Sequence, residues 1–211
     1  MAYINTAKKW LYLFEPHTAS RATTVILDML GGSKIGHHHI GIPELTNVRR
    51  QHIAANQIAG MDVIVTVRNP FDVLITRWMN TEHRDKPFER WFDKYKHHEA
   101  VTTPLTGLYA SATRICWYEN LENDLYWVLT GLEPAKPKPK KLERNSKHVT
   151  TGKKNWNTYY TPEMIQQLLP HYDGFLQQYG YKLHLDKAHP RMELDQETRK
   201  RHCRPIKIMA G

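Results

Sequence analysis

Short apolar runs alternate with helix-spaced stretches along the first 130 residues of the chain. Residues 11–14, Leu-Tyr-Leu-Phe, predict a buried strand ended by Glu15-Pro16. Residues 22–30 set Val25, Ile26, Met29 and Leu30 on one helical face, and Gly31-Gly32 stops that helix. A second strand is predicted over 34–42, then a helix over 47–58 ending at Gly60. Residues 61–67 read as a third strand, β-branched and almost wholly apolar, as strands covered on both faces are. Asn69-Pro70 breaks it and a helix opens over 72–79. Further on, 87–98 reads as a helix whose aromatic residues Phe88, Trp91, Phe92 and Tyr95 belong to the core. A strand is expected within 108–117, a helix over 121–130 closed by Gly131, and a last helix over 161–179 with Pro162 in its first turn. This alternation predicts an α/β fold of three layers, with a central, mostly parallel sheet flanked by helices. It occupies residues 1–185; residues 186–211, polar and mixed in charge, read as a C-terminal tail that packs poorly or serves a partner.

Composition narrows the picture. With 211 residues and 40% of them apolar, the chain can bury a core, which excludes disorder throughout. No stretch approaches the roughly 20 apolar residues of a membrane span. The first nine residues lack the order of a secretory signal. Two cysteines, Cys116 and Cys203, are too few for a disulfide framework, so a soluble protein of the reducing cytoplasm is expected. The net charge is +9, and residues 136–154 concentrate it: eight basic side chains stand against Glu143 alone. Charge gathered this way fits a site for a small polyanion better than a long nucleic-acid track. Within that segment 134–141 alternates lysine with proline and is therefore extended and exposed.

Candidate chemistry falls where predicted strands end. The loop and first turn Pro16-His17-Thr18-Ala19-Ser20-Arg21-Ala22-Thr23-Thr24 join strand one to helix one. A turn of small and hydroxyl residues there can aim backbone N–H groups at an anion, with Arg21 adding a full charge. The plainer alternative is a helix cap by Ser20 or Thr18. The Gly-x-x-x-x-Gly-Lys-Ser/Thr pattern of ATP-binding loops is absent. Arg68 stands at the carboxyl end of the third strand, the edge at which ligands bind in open α/β sheets, and Thr76 lies eight residues on. An arginine fork and a hydroxyl converging on one phosphate make chemical sense.

At this point a resemblance becomes specific. Arg68-Asn69-Pro70-Phe71-Asp72-Val73, with Thr76 and Trp78, resembles the 3′-phosphate signature of PAPS-dependent sulfotransferases (PAPS is 3′-phosphoadenosine 5′-phosphosulfate). The 16–24 stretch is similar to their 5′-phosphosulfate loop, Tyr118-Glu119-Asn120-Leu121 to a later Tyr-Glu-Asp-Leu, and Lys153-Lys154-Asn155-Trp156-Asn157 through Tyr160-Thr161 to a nucleotide-covering segment. The four landmarks span about residues 11 to 180 and are most like small, soluble bacterial or viral members.

The resemblance implies a P-loop-type fold, PAPS as donor and PAP as product. It assigns donor binding to His17, Thr18, Ala19, Ser20, Arg21, Ala22, Thr23, Arg68, Thr76, Lys153 and Lys154. Where the family carries a lysine after the loop proline, this chain has His17, so Arg21 supplies the charge or His17 donates a proton. The covering segment lacks Arg-Lys-Gly, and its duty falls to Lys147, Lys153 or Lys154. A catalytic histidine is expected in Gly36-His37-His38-His39-Ile40, with His39 ahead of His37 and His38 because an apolar residue follows it. Consecutive strand residues face opposite ways, so only His37 and His39 could share a metal, and nothing nearby completes a tetrahedral set. No metal is expected, nor a nucleic-acid partner. The acceptor is expected to be a small molecule or glycan bearing a hydroxyl or amine. Rival expectations are an inactive PAP-binding homologue, a P-loop kinase and a basic nucleic-acid-binding protein.

Overall fold

A computed structural model describes residues 2–14, 20–35, 58–103, 109–132, 155–185 and 190–206, with the backbone alone at Ser20, Arg21, Ala22, Ala100 and Ala110. The chain divides into two compact units: 1–67 with 106–142 and 200–211, and 68–105 with 143–199.

The first unit holds a five-stranded sheet. Its strands are β1 (Ala2–Asn5), β2 (Trp10–Leu13), β3 (Ser33–Ile35), β4 (Asp62–Val67) and β5 (Arg114–Trp117), in the order β3-β1-β2-β4-β5. β2, β4 and β5 run parallel, whereas β1 pairs antiparallel with both β2 and β3. The sheet is therefore mixed, which corrects the expectation of a mostly parallel one. The cause is the hairpin β1–β2, whose turn lacks the glycine that usually announces such a connection. Asn5 Oδ1 accepts from the Lys8 N–H at 2.8 Å, and Lys9 adopts a left-handed backbone with φ of 52°. Of the second strand expected over 34–42, the described part lies in an edge strand, Ser33–Ile35, while 36–42 and residues 47–57 of the expected helix over 47–58 lie outside the described residues. Among the described residues of the stretch 108–117, Arg114–Trp117 form a strand, preceded by a 3₁₀ turn at Tyr109–Ser111.

β2 is fully buried along its length and β4 over five of its six residues, which explains their uniformly apolar sequences. α1 (Ser20–Met29) and α5 (Leu121–Thr130) pack on one another, and α5 also packs on β5. The face α1 buries is not the expected one: Thr23 and Leu27 are buried, while Val25 is 44% and Met29 75% exposed. α1 ends at Gly31, whose φ of 77° favours glycine, and at Gly32, where a Cβ would meet the Trp10 ring at 2.7 Å. Residues 200–206 bind α5. Trp127 Nε1 donates to the Cys203 carbonyl at 3.2 Å, and the Ile206 N–H donates to the Val128 carbonyl at 2.9 Å. Cys116 and Cys203 are both free and buried.

The second unit contains α2 (Pro70–Met79), α3 (Phe88–Tyr95), α4 (Glu99–Thr102) and α6 (Pro162–Gln178). It also contains the antiparallel hairpin of β6 (Tyr181–His184) and β7 (Arg191–Leu194), and the first residues of α7 (Gln196–His202). Its core is aromatic. Phe71 stacks on Trp156 with ring centres 5.5 Å apart, and Tyr160 and Tyr172 meet Phe71 edge-on. Phe88, Trp91 and Phe92 are buried as their spacing predicts, while Tyr95 is only half-buried. α6 starts at Thr161, whose hydroxyl accepts from the Met164 N–H, with Pro162 in the first turn. Asp195 accepts from the Thr198 N–H and hydroxyl and from Lys182 Nζ, each at 2.8 Å, which caps α7 and ties it to the hairpin. Residues 190–206 thus carry more order than their polar composition predicts.

Candidate functional site

β4 ends at Val67 because Asn69-Pro70 cannot continue it: Pro70 has no N–H for a ladder and suits the first turn of a helix. Asn69 caps that helix, its Oδ1 accepting from the Phe71 N–H at 3.0 Å. Arg68 follows the strand directly and is held in place. Its Nε donates to Asp72 Oδ2 at 2.8 Å, and a terminal nitrogen of the guanidinium donates to the same oxygen. The pair is little exposed, 6% for Arg68 and 16% for Asp72. Thr76, another turn along, donates its hydroxyl to the Asp72 carbonyl at 3.1 Å. Arg68, Asp72 and Thr76 are spaced four apart, so the latter two share one face of α2 with the arginine at its start. The structure therefore brings Arg68 and Thr76 to one residue, Asp72.

The segment expected to cover a nucleotide packs against this same helix. Trp156 stacks on Phe71, and Tyr159 lies edge-on to Trp78 with ring centres 5.7 Å apart. The Tyr160 hydroxyl donates to the Phe71 carbonyl at 2.8 Å, in the first turn of α2. Burial above all raises the Tyr160 pKa well above its ordinary value, with Tyr172 and then Asp72 adding to the effect. The hydroxyl is a neutral donor at physiological pH.

In the first unit a row of polar side chains crosses the sheet. The β2–β4 and β4–β5 registers put Tyr12, Thr66 and Cys116 on one face. The Tyr12 hydroxyl hydrogen-bonds with those of Thr66 and of Thr23 in α1, so α1 covers this face. Burial pushes the Tyr12 pKa far up, and neighbouring Cys116 adds to the shift. Thr23, an expected donor ligand, thus spends its side chain on the sheet and keeps only its backbone N–H for anything at the helix start. The parallel register, Leu13 beside Val65, brings the carboxyl ends of β2 and β4 out of the sheet side by side. Beyond β5, Asp124 is buried and holds the strand end. Its Oδ2 accepts from the Trp117 N–H at 2.9 Å and its Oδ1 from Asn120 Nδ2 at 2.7 Å. The Tyr118-Glu119-Asn120 landmark is the 3₁₀ turn that leads into α5.

His17, Thr18, Ala19, His37, His38, His39, Lys147, Lys153 and Lys154 lie outside the described residues. Ser20, Arg21 and Ala22 are described as backbone, the first turn of α1. Among the described residues no group of three or more His, Cys, Asp or Glu is placed to hold a metal ion. No helix among them is long and apolar enough to cross a membrane.

Two residues join the described geometry without having been assigned a role from sequence, Asp72 and Tyr12. Asp72 was legible as an i, i+4 partner of Arg68 on a capped helix. Tyr12 offered no signal, because a tyrosine inside an apolar run reads as core. Neither family models, nor curated proteins, nor solved structures match this chain.

Proposed function

We propose that the protein is a PAPS-dependent sulfotransferase. The observation that carries this reading is the Arg68–Asp72–Thr76 arrangement directly after a buried parallel strand. Arg68 there holds a fixed guanidinium for the 3′-phosphate that distinguishes PAPS from ATP, and Thr76 would join it by turning its hydroxyl from the Asp72 carbonyl. The reading carries with it a P-loop-type, three-layer arrangement. It assigns the 5′-phosphosulfate to the 16–24 loop and the first backbone N–H groups of α1, with Arg21 or His17 beside the bridging oxygen.

In the reaction, the sulfur–oxygen bond to the 5′-phosphate breaks while a sulfur–oxygen bond to the acceptor forms in line. The acceptor hydroxyl proton passes to a histidine, His39 or else His37, and PAP leaves. The acceptor is a small molecule or glycan.

Calorimetry with PAP tests the donor site. The wild type is expected to bind PAP and to prefer it over ATP with magnesium. Arg68→Ala is expected to lose at least about a hundredfold in PAP affinity, the scale of two charge-assisted hydrogen bonds. An unchanged affinity in Arg68→Ala rejects the assignment. A preference for ATP with magnesium turns the proposal to a kinase, and salt-sensitive RNA or DNA binding without a response to PAP turns it to a nucleic-acid binder.

A further inference from the structure

Asp72 is an acid beside the place assigned to a dianion, and its charge alone would weaken phosphate binding. Its contacts give it another role. Two nitrogens on one edge of the Arg68 guanidinium, Nε and a terminal nitrogen, converge on the single oxygen Oδ2. An arginine held by that edge has its fork turned in one direction, so little side-chain entropy is left to lose when an anion is gripped. The Thr76 hydroxyl gives its one proton to the Asp72 carbonyl and reaches a phosphate only by turning from it, so the positioning by Asp72 concerns Arg68. Asn69 caps the turn that carries Asp72, and Tyr160 bonds the neighbouring Phe71 carbonyl, so the turn is anchored at both sides. A residue serving only helix stability would not need the two-nitrogen grip, since an acid in a first turn favours a helix while fully exposed, whereas Asp72 is 16% exposed.

We infer that Asp72 is a positioning residue that sets the Arg68 fork for a ribose 3′-phosphate, and that it acts on recognition of this group alone. The inference rests on the donor site proposed above. Two probes separate the two claims. PAP carries both phosphates, and adenosine 5′-phosphate lacks the 3′-phosphate.

Dissociation constants for both are measured by calorimetry on the full chain, as wild type, Asp72→Asn and Asp72→Glu, with thermal melting alongside. The wild type prefers PAP. Asp72→Asn keeps the side-chain size but loses the charge that holds the guanidinium, and the preference is expected to shrink about tenfold through weaker PAP binding. Affinity for adenosine 5′-phosphate stays constant. Asp72→Glu, which restores the charge on a longer stem, recovers part of the preference.

A purely structural Asp72 would lower the melting temperature and weaken both ligands together, and that result overturns the inference. So does a full PAP preference in Asp72→Asn while Arg68→Ala abolishes it; the donor assignment then stands. A wild type that does not distinguish the two nucleotides overturns the donor assignment and this inference together. Should Asp72→Asn fail to fold, Asp72→Glu carries the test, because a longer acid at this position must still change the PAP preference without changing the adenosine 5′-phosphate affinity.

Discussion

Each unit buries polar side chains, and one group from each differs in kind, although the first unit also buries the hydrogen-bonded Asp124 carboxylate. Tyr12, Thr66 and Thr23 form a neutral row in which hydroxyls satisfy one another beneath α1. Arg68 and Asp72 form an ion pair with little exposure at the start of α2. A neutral row is cheap to bury once its hydrogen bonds are made, and it fixes α1 to the sheet. An ion pair is expensive, since two charges leave water, and apolar residues of similar volume often serve stability as well or better. The hydroxyl row therefore reads as architecture. The ion pair reads as equipment held for a ligand, at some cost to the fold.

The sharpest way to break this contrast is Arg68→Ala. Removing one member of the pair leaves the Asp72 carboxylate without its main partner, an effect of about 3 kcal/mol on stability by urea unfolding. PAP affinity falls at the same time by the factor given above. Arg68→Met separates the two effects: it keeps an apolar stem of similar length but still cannot hold a phosphate. If either variant unfolds like the wild type and binds PAP normally, the pair is neither structural nor functional and the contrast fails.

Tyr12→Phe comes next. It keeps the ring but removes a hydroxyl bonded to both Thr66 and Thr23, and is expected to cost about 1–2 kcal/mol. The ratio of PAP to adenosine 5′-phosphate affinity should not move, and a changed ratio would join the neutral row to recognition of the 3′-phosphate. The same residue gives a pH signature. Burial raises the pKa values of Tyr12, Tyr160 and Tyr172. A group whose folded pKa lies above its unfolded value of about 10 contributes fully below that pH, and the contribution is lost as pH rises toward the folded value. Stability should therefore decline above about pH 10, and less steeply in Tyr12→Phe.

Where the sequence was legible, chemistry at single positions made it so. Asn69-Pro70 announced both the end of β4 and the start of α2, because a cap and a missing N–H act locally. Gly131, with a φ of 69°, closed α5 at its expected end. The β1–β2 hairpin stayed hidden because its turn runs through Lys9 and an Asn5 side chain rather than through glycine. The strand and helix within residues 190–206 are hard to read from sequence for a related reason. Their order depends on Asp195 as a cap and on the buried Pro190, Cys203 and Ile206, too few to raise the local hydropathy. In the candidate site, Arg68 and Thr76 could be chosen from residue type and position. Asp72 as the residue that joins them is a matter of rotamers, which composition does not record.

The smallest expected effect bears on the same lesson. Apolar spacing set Val25 and Met29 on the inner face of α1, yet the helix buries Thr23 and Leu27 instead. The rotation follows from the neutral row. Once Thr23 is committed to the Tyr12 hydroxyl, Leu27 falls beneath it one turn on, and the residues two away point outward. Met29→Gln replaces one good helix former with another at a position 75% exposed, so it should change stability by no more than about 0.5 kcal/mol. Leu27→Gln at the buried position should cost several times as much. A Met29→Gln variant destabilised as strongly as Leu27→Gln would return α1 to the orientation its apolar spacing predicts. Thr23 would then turn away from Tyr12, and the neutral row would no longer tie helix to sheet.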